Sequence, residues 1–225
     1  MKILELFSGT ESFSRVARFK GHQTFTIDNN HIFKPSLCKD ILEVSIHDIP
    51  YEFDTPDILW ASPPCTSFSQ MAVSAHWNYF EPRSSFAKLS IEMIRKTLKL
   101  IDEIQPRFWF IENPRSILRK FPEMQLPRKE LCYCRYGEFR MKPTDIWTNL
   151  DTWKPRAMCY NGCSDHISAP RGSTTGTQGM NPIESGRIPQ LLCLEILESV
   201  EKTITKPTPL YTSQDYRVLD RKDGV

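Results

Sequence analysis

The sequence predicts an α/β domain built on a doubly wound, mostly parallel sheet, and two observations carry that prediction. Short apolar runs alternate with stretches of helical spacing, the order that parallel strands and their crossover helices impose. The runs also end on polar or reactive residues (Ser8-Gly9, Asp28, Cys65, Glu112), as strands do at the edge where an open sheet presents its chemistry.

Residues 2–7 form a short apolar strand, and Ser8-Gly9-Thr10 turns the chain. Over residues 12–20, Phe13, Val16, Ala17 and Phe19 recur at helical spacing, and Gly21 stops that helix. Residues 23–27 are β-branched and aromatic, a second strand ending on Asp28. A loop through Pro35 leads to a third apolar segment around Cys38, Asp40 and Leu42, followed by residues 46–50. Residues 57–61 form the strand that delivers Cys65, and residues 70–85, rich in Ser, aromatics and Pro, read as a loop. Residues 86–104 are the clearest helix, with Leu89, Met93, Leu98, Ile101 and Ile104 on one broad apolar face. Residues 107–111 are a buried strand ending on Glu112. Beyond Pro127 the pattern becomes antiparallel: residues 130–136 and 144–148 read as strands joined at Gly137. Residues 150–186 show little periodicity. Residues 188–201 form a last amphipathic helix with Pro189 in its first turn, and a polar tail starts at Thr203.

A chain of 225 residues can bury a substantial core in one domain with a small insertion. Its 40% hydrophobic and 25% charged residues are ordinary for a globular protein. A net charge of +2 gives no global electrostatic signature, so a nucleic-acid partner needs a local basic surface. No apolar run approaches a membrane span and no signal peptide opens the chain, so no membrane partner is expected. Seven cysteines, an odd number, point to reduced thiols in a cytoplasm.

Cys65 ends an apolar run through Pro63-Pro64, which holds its approach rigid, and a Ser/Thr-rich segment follows. A free cysteine is usually a small core residue. Core cysteines are rarely delivered by two prolines into a polar loop, so a nucleophile is the expected role. The Gly9 turn offers close backbone approach, and the helix after it offers N-terminal amides. Asp28 follows about 20 residues later, where such folds set a carboxylate on a ribose diol, and Asp40 follows a third apolar segment. Taken singly, each acid reads equally well as a cap or turn residue. In order at successive strand ends, they favour a nucleoside-type cofactor.

Phe7-Ser8-Gly9, Pro64-Cys65 and Glu112-Asn113-Pro114, in that order on alternating strands, resemble the DNA cytosine-5 methyltransferase family. The resemblance covers residues 2–149 and the last helix. Residues 133–149, with Arg140 and Lys142, resemble the family's arginine-bearing motif in its compact phage and bacterial versions. It implies a Rossmann-like catalytic domain using S-adenosylmethionine, held by Phe7, Ser8, Gly9, Thr10, Asp28, Asp40 and Pro63. It also implies double-stranded DNA as partner, in the cytoplasm of a bacterial or phage-infected cell. Cys65 would add to cytosine C6, Glu112 would serve N3, and Arg140, with Lys142 second, would contact the cytosine O2 or a phosphate. An acid that donates at N3 calls for an apolar setting, which Phe108, Trp109, Phe110 and Ile111 are expected to supply. A duplex hides C6, so the base must be flipped out. Residues 66–85 are the expected lid, with Phe68, Trp77 and Tyr79 as stacking residues or plain loop anchors.

Family loops usually continue Phe-x-Gly-x-Gly, whereas this chain has Thr10-Glu11. A glutamate reaches positive φ only at a cost, so either the loop takes another path or Glu11 points outward. Proline follows Glu112-Asn113 where valine is commoner, and Arg140-Met141-Lys142-Pro143-Thr144 stands where the family has Gln-x-Arg-x-Arg. Two other readings stay open: the same chemistry on RNA or with a modified cofactor, and an inactive nucleic-acid-binding protein.

Cys134, Cys159, Cys163 and His166 are the preferred set for a zinc ion that would order a segment poor in apolar residues, with Cys132 expected on the opposite strand face. Reduced, partly buried thiols are the alternative. Residues 169–179, with Arg171 and Gln178, suit phosphate and base-edge contacts or an ordinary loop. The expected organisation is a catalytic domain over residues 1–149 and a short target-recognition and candidate metal-binding region over 150–186. A closing helix follows over 187–202, then a tail over 203–225.

Overall fold

The computed structural model describes residues 1–69, 73–160, 162–167 and 180–205. Strand β1 (Lys2–Leu6) leads through a tight turn into helix α1 (Ser12–Phe19), and β2 (Gln23–Asp28) and β3 (Leu37–Cys38) follow. After several 3-10 turns come β4 (Ile58–Ala61), the short helix α2 (Val73–His76) and a two-stranded hairpin, β5 (Trp77–Asn78) with β6 (Glu81–Pro82). Helix α3 (Ser85–Ile104), β7 (Phe108–Pro114), β8 (Arg128–Cys132), β9 (Pro143–Thr148), α4 (Pro182–Gly186) and α5 (Gln190–Thr205) complete the described chain.

The main sheet runs β3-β2-β1-β4-β7-β9-β8. Neighbours from β3 to β7 are parallel, whereas β9 is antiparallel to β7 and β8 antiparallel to β9. This is the doubly wound, Rossmann-like arrangement expected of the sequence. Alternation of side chains along the strands builds a core on each face. Leu4, Leu6, Leu59, Ala61 and Ile111 meet α3 on one side. Ile3, Ile58, Trp60 and Phe110 meet Phe13 and Ala17 of α1 and Leu192, Ile196 and Leu197 of α5 on the other. Phe13 stacks on Trp60 with centroids 4.4 Å apart, fixing α1 directly behind the turn that follows β1.

Helix α3 starts where Ser84 caps the Ala87 amide at 3.1 Å and stops where Gln105 turns left-handed before Pro106. Its buried face differs from the expected one. Ala87, Ser90, Ile91, Ile94, Thr97, Leu100 and Ile104 are inside, Met93, Leu98 and Ile101 are half-buried, and Leu89 is 37% exposed. Small residues let the helix approach the sheet, so the inward stripe includes Ala, Ser and Thr and leaves Leu89 outside. The expected loop over 70–85 contains α2 and the hairpin, because Trp77 is buried and anchors them. The strand expected over 130–136 ends at Cys132, and Tyr133–Tyr136 coil into a 3-10 turn capped by Gly137 at φ 86°. Pro189 precedes α5 and accepts the Leu192 and Cys193 amides through its carbonyl. The basic loop expected over 169–179 and most of the tail, 206–225, lie outside the described residues.

The parallel strands carry Gly9, Asp28, Cys65 and Glu112 to one edge of the sheet. There β1 separates the branch leading to β2 and β3 from the branch leading to β4 and β7. Such a switch point is where open sheets of this kind hold ligands.

Candidate active site

The turn after β1 lines a recess of about 290 Å³ with Glu5, Phe7, Ser8, Gly9, Thr10 and Ser62. A second recess of about 190 Å³ adjoins it, lined by Phe7, Asp28, Asp40, Ser62 and Pro64. Gly9 takes φ +46°, and a Cβ there would meet nothing within 4 Å, so the space above the turn is open. The Ser8 hydroxyl is buried and has no hydrogen-bond partner among the described residues. An open turn beside an orphaned hydroxyl fits a polar ligand. Asp28 accepts the Gly9 and Asn30 amides, each at 2.8 Å, tying the end of β2 to the turn. Asp40 accepts the Leu42 amide at 2.9 Å.

Glu11 does adopt a left-handed backbone, φ 55°, a conformation that costs a non-glycine residue about 1 kcal/mol or more. Its carboxylate turns outward: it accepts the Thr26 hydroxyl at 2.9 Å and pairs with Arg18. Its charge is therefore spent away from the recess. Glu5 was missed in reading the sequence, although a carboxylate inside the run Ile3-Leu4-Glu5-Leu6 is a signal. It is fully buried, receives the Ser14 amide at 2.9 Å, and burial raises its carboxyl to about 7.

A third cavity, of about 490 Å³, holds Pro63, Cys65, Glu112, Arg140 and Lys142. Ser62 lines all three cavities, so the recess beside Gly9 and the cavity of Cys65 share one wall. Pro63, expected beside the cofactor, lies instead on the Cys65 side, while Ser62 and Pro64 line the recess of Asp28. The cause is Asn113, whose buried Nδ2 donates to the Pro63 carbonyl at 3.0 Å and fastens the Cys65 loop to β7. Burial pushes the Cys65 thiol up, Lys142 opposes that rise, and Glu112 adds to it.

Glu112 does not meet the apolar surround expected from its strand. Alternation sends Phe110 and Ile111 into the two cores, and Glu112 Oε1 instead accepts the Tyr133 hydroxyl at 2.7 Å. Lys142 Nζ stands 3.7 Å from the same oxygen and 4.5 Å from the Tyr133 ring centroid. Tyr133 opens the segment that resembles the arginine-bearing motif, and nothing in its sequence context marks it as a partner of Glu112. Arg140 is 2% exposed, its Nε lies 3.3 Å from Glu138, and its Nη2 has no hydrogen-bond partner among the described residues. Arg140 lines the cavity, and a buried guanidinium there suits an anion or a carbonyl oxygen.

The segment expected as a lid separates its three aromatics. Phe68 and Trp77 are buried and stacked at 5.4 Å, with the Trp77 indole donating to the Ser67 carbonyl at 2.9 Å. Tyr79, at the hairpin turn with φ 54°, is 84% exposed.

Cys134, Cys159, Cys163 and His166 come together as expected, their donor atoms all within 4.8 Å of one another. Cys163 Sγ lies 2.8 Å from Cys159 Sγ and 3.1 Å from His166 Nδ1. Cys132 is not on an opposite face. Its sulfur is 3.5 Å from that of Cys134, because the chain coils immediately after the strand.

The family model described as C-5 cytosine-specific DNA methylase matches residues 1–125. A Frog virus 3 (isolate Goorha) protein described as a probable DNA (cytosine-5)-methyltransferase is 26% identical over 222 residues, covering 88% of this chain and 99% of the relative. Among solved structures, Entamoeba histolytica methyltransferase EhMeth matches with TM-score 0.48 and 14% identity, over 66% of this chain and 52% of that one. S. pombe Dnmt2 methyltransferase matches with TM-score 0.47 and 16% identity, over 66% and 50%. The chain thus spans about half the length of these solved structures.

Proposed function

Because the chain belongs to the C-5 cytosine-specific DNA methylase family, we propose that it methylates C5 of cytosine in double-stranded DNA, using S-adenosylmethionine and a covalent bond from Cys65. The observation that carries the assignment of roles is the shared wall: Cys65 and Glu112 line one cavity, and Ser62 joins it to the recess over Gly9.

Phe7, Ser8, Gly9 and Thr10 would hold the cofactor on one side, and Asp28 and Asp40 would reach its nucleoside end. When bound, it supplies an electrophilic methyl group on a sulfonium. The protein does the rest on the base. Cys65, as thiolate, forms an S–C6 bond, and the C5–C6 π pair moves onto C5, which makes a poor nucleophile enamine-like. Glu112, held by the Tyr133 hydroxyl with the Lys142 ammonium 3.7 Å away, would share a proton with N3 as charge reaches it, and the Arg140 guanidinium would serve O2 or a phosphate. Once C5 is methylated it gives its proton to solvent water, and the electron pair left behind expels the Cys65 sulfur as thiolate.

A cavity of about 490 Å³ with Cys65 and Glu112 on its wall supports recognition of a flipped base, and the exposed Tyr79 beside two buried anchors supports the lid role of residues 66–85. We read residues 1–149 with the closing helix as the catalytic unit, since α5 covers the same sheet face as α1. Residues 150–186 are read as a short recognition region. The reading includes a zinc ion on Cys134, Cys159, Cys163 and His166, a donor set of the kind structural zinc takes. The viral relative supports an infected cell as the setting, where reduced thiols persist. Among the described residues no helix is long and apolar enough to cross a membrane.

Duplex DNA carrying 5-fluorocytosine tests the chemistry, because fluorine blocks loss of the C5 proton. The expected result is a stable adduct mapped by mass spectrometry to Cys65, with Cys65→Ser incorporating no labelled methyl. An adduct on another cysteine, or methyl transfer to RNA alone, overturns the assignment.

A further inference from the structure

We propose that Tyr133 is a positioning residue for Glu112, and that the neighbouring Cys134 cluster holds Tyr133 in place. The first half stands on geometry within the catalytic cavity. Tyr133 is fully buried and Glu112 nearly so, and their 2.7 Å hydrogen bond runs from phenol to carboxyl oxygen. Lys142 contacts that same oxygen from above the phenol ring. Both contacts fall on Oε1, and Glu112 lines the cavity that would receive a base. A carboxyl group so held cannot rotate without breaking a short hydrogen bond inside the protein, where such bonds are strong. Misplacing a reacting group by a fraction of an ångström is costly to rate and nearly neutral to binding.

The second half rests on the zinc reading. Tyr133 opens the 3-10 turn Tyr133–Tyr136, and its amide donates to the Lys142 carbonyl at 3.1 Å. Cys134 is the next residue and contributes one of the four clustered donors, while the other three come from residues 159–166. Beside that cluster, Arg156 Nη1 donates to the Arg135 carbonyl at 2.7 Å and the Ile167 amide to the Phe139 carbonyl at 2.8 Å. An ion gripping Cys134 from across the chain fixes the turn, and the turn carries the phenol. Support of this kind sets a functional side chain through its neighbours instead of by direct contact.

The full chain, as purified and after zinc removal by a chelator, is compared with Tyr133→Phe treated in both ways. Zinc per chain, melting temperature, kcat, KM for duplex DNA and for S-adenosylmethionine, and the rate of adduct formation on 5-fluorocytosine DNA are measured. One zinc per chain is expected in both proteins. Tyr133→Phe should lower kcat and the adduct rate about tenfold or more, leaving both KM values within about twofold. Zinc removal should lower kcat similarly in the native protein but add less than about threefold in Tyr133→Phe, where the link is already cut.

A Tyr133→Phe kcat within about twofold of native overturns the positioning role. Absence of zinc overturns the zinc reading and the coupling, while the Tyr133→Phe kinetics still decide the positioning role. Equal losses in both proteins on zinc removal overturn the coupling alone. So does loss of the cooperative melt on zinc removal, which would make the ion a support of the whole fold.

Discussion

Lys142 works against burial at Cys65, and that opposition has a sign. Without the ammonium, the thiol rises further above its ordinary value, so less thiolate is present at any pH below it. Lys142→Met should therefore move the rising alkaline limb of the adduct rate to higher pH. Each unit of displacement costs about tenfold in thiolate below the limb. Adduct rates from about pH 7 to about pH 10, a span around the ordinary thiol value, read this directly. An unmoved limb would mean that Lys142 serves only Glu112. Cys65 was legible as a candidate nucleophile because Pro63-Pro64-Cys65 carries its own local geometry. Tyr133 was not, because its partner stands 21 residues away. Glu112 lies on β7 and Tyr133 in the turn that follows β8, with β9 between those two strands, so no sequence spacing announces the contact.

Helix α3 shows what periodicity conveys about an element and what it omits. Its extent was readable from one long amphipathic run, capped at Ser84 and broken by Pro106. Its inward face was not, because Ala87, Ser90 and Thr97 count as weak or polar positions yet face the sheet, where Ser90 and Thr97 return their hydroxyls to the Phe86 and Met93 carbonyls. The two faces predict different costs. Ile94→Ala should lose about 2–5 kcal/mol of stability, whereas Leu89→Ala should lose less than about 1 kcal/mol, in urea unfolding of the full chain. Comparable losses would restore the face read from the large residues alone. The hairpin of Trp77 has a similar lesson: aromatic residues in a polar segment marked an anchor under the lid, and the turn between them left Tyr79 outside.

At the scale of the molecule, the sheet order joins segments far apart in sequence. Helix α5 buries Leu192, Ile196, Leu197 and Val200 against Phe13, Ala17 and Trp60, so the last described element closes the first. A chain ended before Ile188 should expose that apolar face and lose its cooperative melt in calorimetry, whereas one ended after Thr205 should retain it. The alternation of strand and helix made the parallel half readable, and two strand-like runs joined at Gly137 marked the antiparallel end. The region over 150–186 stayed opaque because hydrogen bonds and sulfur contacts, which follow no period, organise its described part. Its joint with the catalytic unit has a practical corollary. The donors of Cys159, Cys163 and His166 converge with that of Cys134 to within 4.8 Å. On the proposed zinc reading, a segment transplanted from a relative into this region would need to bring matching donors at matching spacing, or the graft would loosen the turn that begins at Tyr133.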